Sequence, residues 1–385
     1  MSKCREPGIK VGINDAWRFS RRAVLSSLFP SLALASPLLS PVKNAFTVSG
    51  QAPVAPQTTT ADAFPWQRLL NELAVTSGPF AGSWRSAPNG PISWYFANIG
   101  LAFFVADIPD QVRNYLDLYL KSLDPQAAIA DVAADLSTRV TPDSNDAYAA
   151  TFLSLALAYV RSTGDSTWWN ANLGSLKKIA YFNLLTQVKP NGLVRAFQSP
   201  NANATGYLMD QCLVYAGLRD FGQYLLETGD PDATYYSSFA MNLGIAIHTQ
   251  FDAGANRWLW CDAPSSPSNA WYPNLTAQIY PHLCDVHSAD APGDYYRLHQ
   301  GFQVLAQNAP DWYSRPQDHY PWLVVGYYAA LRQEQPSQAL SMLSMVLQYF
   351  LPGSMNTGQL LISEIGYVKG IEAASQPIPS GCPVA

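Results

Sequence analysis

Four acidic residues stand where the chain turns from loop into helix, and acidic residues in such places can act as catalytic acids and bases. The segment TPDSNDAYAATFLSLALAYV places Asp143 and Asp146 directly before a helical pattern that is apolar on almost every face. Asp210 lies in GYLMDQCLVY, and Glu364 lies in LLISEIGY. An acid at a helix start also caps the helix, which contributes about 1 kcal/mol. Capping is therefore the structural alternative, and we predict that these four acids supply the catalytic groups.

The expected surroundings of the acids assign them different roles. A helix N-terminus carries positive potential, which stabilises an ionised carboxylate. Asp143 and Asp146 therefore suit a general base, a charge stabiliser or a ligand for hydroxyl groups. Glu364 is flanked by Leu, Ile and Tyr, and apolar surroundings raise a carboxyl pKa, as a general acid requires. An ion pair with an arginine is the alternative for Glu364, and Asp210 fits either catalytic role.

A set of aromatic and amide side chains lies beside turns or near helix starts rather than in mid-helix stripes. Aromatic rings at such places suit the C–H faces of a pyranose, although Trp and Tyr also fill cores. We predict that the set binds substrate: Trp84, Trp94, Tyr95, Asn98, Tyr148, Trp271, Tyr272, Gln278 and Trp322.

The elements that must position these residues are almost all helical. From Phe64 onward the apolar spacing predicts a dozen helices. The Gly164–Asp165 and Gly229–Asp230 junctions each end one helix and cap the next, so the flanking helices pack antiparallel. The best candidates for extended excursions are 189–195 and 257–260. The predicted helices cover 64–75, 92–106, 109–123, 145–162, 166–186, 206–227, 231–251, 275–284, 293–308, 318–332, 336–350 and 358–372.

The helices alternate in character, which predicts an inner and an outer ring. The 146–160 helix is apolar on all faces and must be surrounded, whereas the next helix is amphipathic and carries Lys177 and Lys178 outward. About six such pairs close into an all-α (α/α)6 toroid with short β excursions in its loops. An open helical solenoid is the rival arrangement, but it favours a more regular period.

Several motifs give the chain a resemblance to a known superfamily. They are ISWYFAN (92–98), DSNDAYAA (143–150), YLMD (207–210) with VYAGL (214–218), and SEIGY (363–367). From about Phe64 to Glu372 the chain resembles the six-hairpin glycosidase superfamily, the (α/α)6 barrels that include bacterial glucanases and glucoamylases. The resemblance implies a funnel where the inner helices start, two carboxyl groups across a scissile glycosidic bond, and inversion of configuration. Many relatives place an acid in an early hairpin, where GPISWYFANIG has none.

The resemblance implies an exported glycoside hydrolase that acts on a neutral oligo- or polysaccharide. A non-catalytic toroid that binds a saccharide or a partner in envelope polysaccharide handling is the alternative. The fold also hosts polysaccharide lyases and epimerases, so the fold alone does not fix the reaction.

Composition and the N-terminus point to export. Charged residues are 13% of the 385 residues, against roughly 25% in an average soluble protein. The net charge of −5 argues against nucleic acid. Residues 1–35 read as a signal peptide of twin-arginine type around Arg21 and Arg22, with an ordinary secretory signal as the alternative. We expect a flexible lead-in over 36–61, one domain over 62–385, and a monomer located in the periplasm or secreted.

Cysteine and histidine patterns carry weaker expectations. We predict a Cys261–Cys284 disulfide and a buried Cys212 thiol. The segment YPHLCDVHSAD contains His282, but its spacing matches no zinc signature, and other ligands would have to come from elsewhere in the chain. We therefore predict neither a metal site nor a cofactor.

Overall fold

The computed structural model describes residues 64–198, 204–264, 268–287, 294–351 and 360–375. The predicted signal peptide and lead-in lie outside these residues, as does Cys382. No described helix is long and apolar enough to cross a membrane.

Twelve α-helices make up most of the described chain, and their bounds follow the predicted positions closely. Between them lie two short antiparallel pairs, β1 (Asp131–Val132) with β2 (Arg139–Val140) and β3 (Phe251–Asp252) with β4 (Arg257–Trp258). The helices are α1 (Trp66–Leu73), α2 (Trp94–Ala102), α3 (Pro109–Ser122), α4 (Asp146–Thr163), α5 (Ser166–Asn183), α6 (Leu208–Glu227), α7 (Ala233–His248), α8 (Tyr280–Leu283, preceded by a 3₁₀ turn over Thr276–Ile279), α9 (Asp294–Asn308), α10 (Leu323–Leu331), α11 (Pro336–Tyr349) and α12 (Ile362–Ala374).

The even-numbered helices form a closed inner wall. Helix α2 packs between α4 and α12, α4 packs against α6, α6 against α8, and α10 packs between α12 and the 3₁₀ turn that leads into α8. The odd-numbered helices lie outside this wall and contact it from one side. This arrangement is an (α/α)6 toroid, as the alternation of apolar and amphipathic helices predicts.

The two predicted glycine–aspartate turns form as expected. Gly164 has a φ of 70° and ends α4, and the Asp165 side chain accepts a hydrogen bond from the Trp168 N–H at 2.9 Å to cap α5. Gly229 has a φ of 73° between α6 and α7. Because a left-handed turn this short reverses the chain, α4 and α6 are each followed by an antiparallel outer helix.

Close contacts between backbones hold the inner wall together. A Cβ on Gly100 of α2 would lie 2.4 Å from the Ile362 carbonyl oxygen at the start of α12, so only glycine fits there. A Cβ on Gly217 of α6 would lie 2.9 Å from the Ala150 carbonyl oxygen of α4. These contacts bring the helix axes close together, so the wall leaves little room between neighbouring helices.

Two expectations are wrong. The helix predicted over 318–332 begins only at Leu323, because Trp322 adopts a left-handed backbone with φ 56° and ψ 44°. Cys261 and Cys284 form no disulfide, since Cys284 lies in the main core whereas Cys261 lies in a small separate cluster with Ala196. Cys212 is a buried thiol, as predicted.

Candidate active site

The starts of the inner helices meet at one end of the barrel. The Tyr95 ring near the start of α2 stacks on the Tyr148 ring near the start of α4, with centroids 5.5 Å apart and planes 21° from parallel. At the start of α12, Glu364 Oε2 accepts a hydrogen bond from the backbone N–H of Leu323, the first residue of α10, at 2.8 Å. The first turns of α2 and α4 therefore meet at one end, and so do the first turns of α10 and α12.

Tyr95 lies at this end of the barrel. Burial raises the pKa of its hydroxyl well above the usual value, and the negative charge of Asp210 raises it further. Tyr280 and Tyr367 add smaller increases, and Asp143 adds another. Such effects require proximity, because charge interactions weaken with distance. We call these five residues the central cluster: Tyr95, Asp143, Asp210, Tyr280 and Tyr367.

Glu364 lies beside the central cluster and is fully buried. It precedes Tyr367 by three residues on α12, which places both side chains on one helix face. Its Oε2 bonds to Leu323, and its Oε1 has no hydrogen-bond partner among the described residues. Burial raises the pKa of this carboxyl to about 8, although the Leu323 N–H opposes the shift. Glu364 is therefore mostly protonated at neutral pH. Among the described residues it forms no ion pair with an arginine, which was the alternative considered from the sequence.

The two acids before α4 differ in their surroundings. Asp146 is the first residue of α4, is fully buried, and its Oδ1 accepts the N–H of Ala147 at 2.8 Å. The N-cap residue is Asn145, whose side chain makes no capping bond and instead accepts the Gln198 N–H at 3.2 Å. Asp143 is half-buried and contributes to the field at Tyr95. The N-cap position itself therefore belongs to Asn145 and not to Asp143.

Sequence reasoning missed Asp131, a buried carboxylate on β1. The Tyr148 hydroxyl donates to Asp131 Oδ2 at 2.9 Å and lies 3.0 Å from the Ser93 hydroxyl. This chain of contacts fixes the Tyr148 ring on which Tyr95 stacks. The one sequence signal that could have identified it is its position in an apolar run, between Ala130 and Val132. A charged residue in such a run is rarely buried unless it has a partner.

Three of the residues predicted to bind substrate form an aromatic cluster: Trp271, Tyr272 and Trp322. The Tyr272 ring stacks on Trp322 with centroids 5.2 Å apart, and Trp271 meets Trp322 edge-on. Trp322 directly precedes the Leu323 N–H that Glu364 binds, so the cluster adjoins that carboxyl group. A left-handed backbone is costly for a bulky residue, and such outliers concentrate at functional sites. Trp271 and Tyr272 remain partly exposed.

Other residues predicted to bind substrate are buried in the inner wall and have structural roles there. Trp94 is fully buried, and its Nε1–H donates to the Ala130 carbonyl at 2.9 Å, so neither ring face is open to a sugar. Trp84 is also buried and meets Tyr115 edge-on. The Asn98 amide donates to Thr151 Oγ1 at 3.1 Å and accepts from a tyrosine hydroxyl, which ties α2 to its neighbours.

Gln278 also has a structural function. Its Oε1 accepts the N–H of Trp258 at 2.9 Å, and its Nε2 donates to the Trp258 carbonyl at 2.7 Å. Both polar atoms of this buried amide are therefore hydrogen-bonded to the backbone N–H and C=O of Trp258. Gln278 therefore clamps β4 to the inner wall and is not available to sugar hydroxyls.

Comparison with solved structures identifies the same architecture elsewhere. A wild-type glycosidase is 11% identical, with a TM-score of 0.57, 80% of this chain covered and 94% of that one. A glucoamylase from Saccharomycopsis fibuligera is 13% identical, with a TM-score of 0.53 and coverages of 80% and 92%. A cellobiose 2-epimerase from Spirochaeta thermophila is 10% identical, with a TM-score of 0.52 and coverages of 80% and 93%. No family model and no curated protein sequence matches the chain.

These similarities establish the fold. The chain has the six-hairpin (α/α)6 architecture of these glycosidase-like proteins. Because both hydrolases and an epimerase share it, the reaction has to be argued from the residues at the helix starts.

Proposed function

We propose that this chain is a glycoside hydrolase that cleaves a neutral oligo- or polysaccharide. The observation that carries the proposal is Glu364, a fully buried carboxyl group with a raised pKa and with one oxygen that has no hydrogen-bond partner among the described residues. It stands beside a cluster that contains two further acids, Asp143 and Asp210. A protonated acid and an ionised acid in one site are the minimum that glycoside hydrolysis requires.

The proposed mechanism divides the two proton transfers between the acids. Glu364 donates its proton from Oε1 to the glycosidic oxygen as the bond to the anomeric carbon breaks. Asp210 or Asp143 accepts a proton from the water whose oxygen forms the new bond to that carbon. The products are two free sugars, and the acids exchange their protons with solvent afterwards. Attack from the face opposite the leaving group gives inversion, which we propose by analogy with the superfamily.

The preference for a neutral sugar follows from the charges at the site. Acidic residues at the helix starts repel anionic substrates. The partly exposed Trp271 and Tyr272 offer apolar ring surface beside Glu364, which suits the C–H faces of an uncharged pyranose. We propose that the stacked rings of Tyr95 and Tyr148 form the floor of the active-site cleft.

Release of reducing ends from a panel of α- and β-glucans tests the proposal. Glu364→Gln and Asp210→Asn should each slow release by about 100-fold or more. Glu72→Gln should not, because Glu72 lies exposed on α1, where it pairs with Arg68. Circular dichroism of every variant separates loss of catalysis from loss of fold.

A saccharide-binding protein without catalysis is the second candidate. It is favoured by the start of α2, where Ser93, Trp94 and Tyr95 stand in place of the acid that many relatives carry. Measurable binding of a glucan that the wild-type chain leaves uncleaved would support this candidate and overturn the hydrolase proposal.

Export is part of the proposal and has its own test. We propose that the twin-arginine signal carries the chain to the periplasm or beyond as a monomer, with a mature N-terminus near Ser36. Replacing Arg21 and Arg22 with lysines should retain the uncut precursor inside the cell. Processing that is unaffected by these changes would favour the ordinary secretory route.

A further inference from the structure

A second group of reactive side chains lies at the other end of the inner wall. His282 is near the end of α8, His299 is on the outer helix α9, and Glu334 follows α10. The nine residues of α10 separate this end from the Glu364 contact at Leu323 by about 13 Å, at 1.5 Å per residue. We call His282, His299 and Glu334 the base cluster.

The base cluster has the composition and compactness of a metal site. One ligand atom from each residue lies within 4.8 Å of the other two. The two imidazole rings have centroids 4.4 Å apart. Two imidazoles and one carboxylate are a common protein ligand set for zinc, with water completing the coordination.

The hydrogen bonds identify the atoms that would bind a metal. His282 Nδ1 lies 2.8 Å from the Tyr328 hydroxyl, which orients the ring and leaves Nε2 as its ligand atom. His299 Nδ1 and Glu334 Oε1 lie 2.5 Å apart, so a metal ion bound by both atoms would take the place of the proton between them.

The surrounding charges permit a cation. Arg332 is the nearest positive group, and its Nη2 lies 2.5 Å from Asp285 Oδ1, so a carboxylate opposes its charge. The Glu334 carboxylate is then left to balance a bound metal ion.

We propose that His282, His299 and Glu334 bind one zinc ion that fastens α8, α9 and α10 together at the base of the barrel. The exposed Tyr295 ring, centred 4.1 Å from that of His299, covers the cluster and places it close to solvent. The helix α8 has only four residues and gains most from such a link. The role is structural and does not depend on the proposed hydrolase activity.

Calorimetric titration of the chelator-treated mature chain with zinc chloride tests the proposal. We expect one zinc ion per chain and a higher melting temperature, with no response to magnesium, which prefers oxygen ligands. His299→Gln and Glu334→Gln should each weaken zinc binding by at least about 100-fold. His319→Gln should not, because His319 is exposed on a different loop.

Cobalt(II) provides a second readout that does not depend on stability. The wild-type chain should give the intense visible absorption of a four-coordinate site, and the two variants should lose it while their circular dichroism stays native. A wild-type chain that binds neither metal, or variants that bind zinc as tightly as the wild type, would overturn the proposal. The base cluster would then be a hydrogen-bonded pair of histidines and a glutamate.

Discussion

Glu364 is a carboxyl group whose chemistry is set by its environment rather than by an ion pair. Burial removes the water that would stabilise its charge, and one backbone N–H replaces only part of that hydration. The group is therefore held neutral under conditions in which an exposed glutamate is ionised. This is the property that distinguishes a general acid from the other carboxylates of such a site.

The pH dependence of activity follows from this carboxyl. If Glu364 donates the proton, kcat/KM should fall as pH rises through about 8, because the ionised form has no proton to give. Glu364→Gln should lower kcat by about 100-fold or more and remove this alkaline limb. Initial rates on the best substrate of the glucan panel, from pH 4 to about 10, provide the measurement. An alkaline limb that survives in the variant would assign the proton to another group.

The pH dependence of stability provides a test that needs no substrate. The folded-state pKa of Glu364 is raised, so its contribution is fully present below the unfolded-state value and is lost as pH rises towards about 8. Each pKa unit corresponds to about 1.4 kcal/mol. Relative to the wild type, Glu364→Gln should therefore become more stable between about pH 4.5 and 8, by a few kcal/mol. A difference in unfolding free energy that stays constant across this window would contradict the assignment.

At the scale of elements, two buried glutamines attach the extended excursions to the inner wall. Gln211 on α6 accepts the Val194 N–H at 2.7 Å and donates to the Val194 carbonyl at 3.0 Å. Gln278, before α8, makes the same two bonds to Trp258. Each amide bonds as one more residue of a neighbouring strand would, so the N–H and C=O of Val194 and of Trp258 are satisfied where no strand of the inner wall could pair with them.

Removing one of these clamps should be costly. Gln211→Leu keeps the volume but leaves the N–H and C=O of Val194 buried and unpaired, which should lower the unfolding free energy by about 2–5 kcal/mol. Gln223→Leu on the same helix should change it by less than about 0.5 kcal/mol, because Gln223 is exposed. Urea unfolding followed by tryptophan fluorescence measures both. Equal effects of the two changes would show that the clamp is not needed.

The elements were more predictable from sequence than the site. Helix positions follow from apolar spacing and from glycine–aspartate turns, both of which are local signals. The backbone conformation of Trp322 cannot be predicted from local sequence signals. Packing and the hydrogen bond between Glu364 and Leu323, which is distant in sequence, determine where α10 begins. The same holds for the base cluster, in which Glu334 comes 35 positions after His299 and no spacing rule joins them.

The site itself was predictable in part. The prediction that the acids gather at the helix starts depends only on parallel inner helices. Asp146, Asp210 and Glu364 lie in the first turns of α4, α6 and α12, and their catalytic role stays a prediction. The buried roles of Trp94 and Asn98 were not predictable, since an aromatic or amide residue at a helix start faces either the cleft or the next helix. Which of the two it faces depends on the rotation of each helix in the wall, which the sequence pattern does not specify.

At the scale of the whole molecule, closure distinguishes this fold from an open solenoid. The last inner helix returns to the first hairpin: Ile362 donates its N–H to the Ser86 carbonyl at 2.9 Å, and Lys369 pairs with Asp107. The Lys369 ammonium also lies 4.9 Å from the centre of the Phe104 ring. Every inner helix therefore has two inner neighbours, and no hairpin is an end.

A truncation separates the two architectures. A chain that stops at Leu331 lacks the hairpin of α11 and α12, and the loss of α12 uncovers one side of both α2 and α10 and exposes the apolar faces that meet around Gly100. We expect it to lose its cooperative thermal transition altogether, whereas a chain that stops at Ser375 retains α12 and should keep a cooperative transition. Near-ultraviolet circular dichroism on heating is the appropriate measurement, because the shorter chain also lacks Glu364 and activity would not be informative. In a solenoid each repeat contacts only its neighbours, so loss of the final hairpin would lower the melting temperature by a few degrees and leave the transition cooperative. That outcome would mean that contacts between adjacent hairpins, and not the closed ring, stabilise the wall on which the acids are arranged.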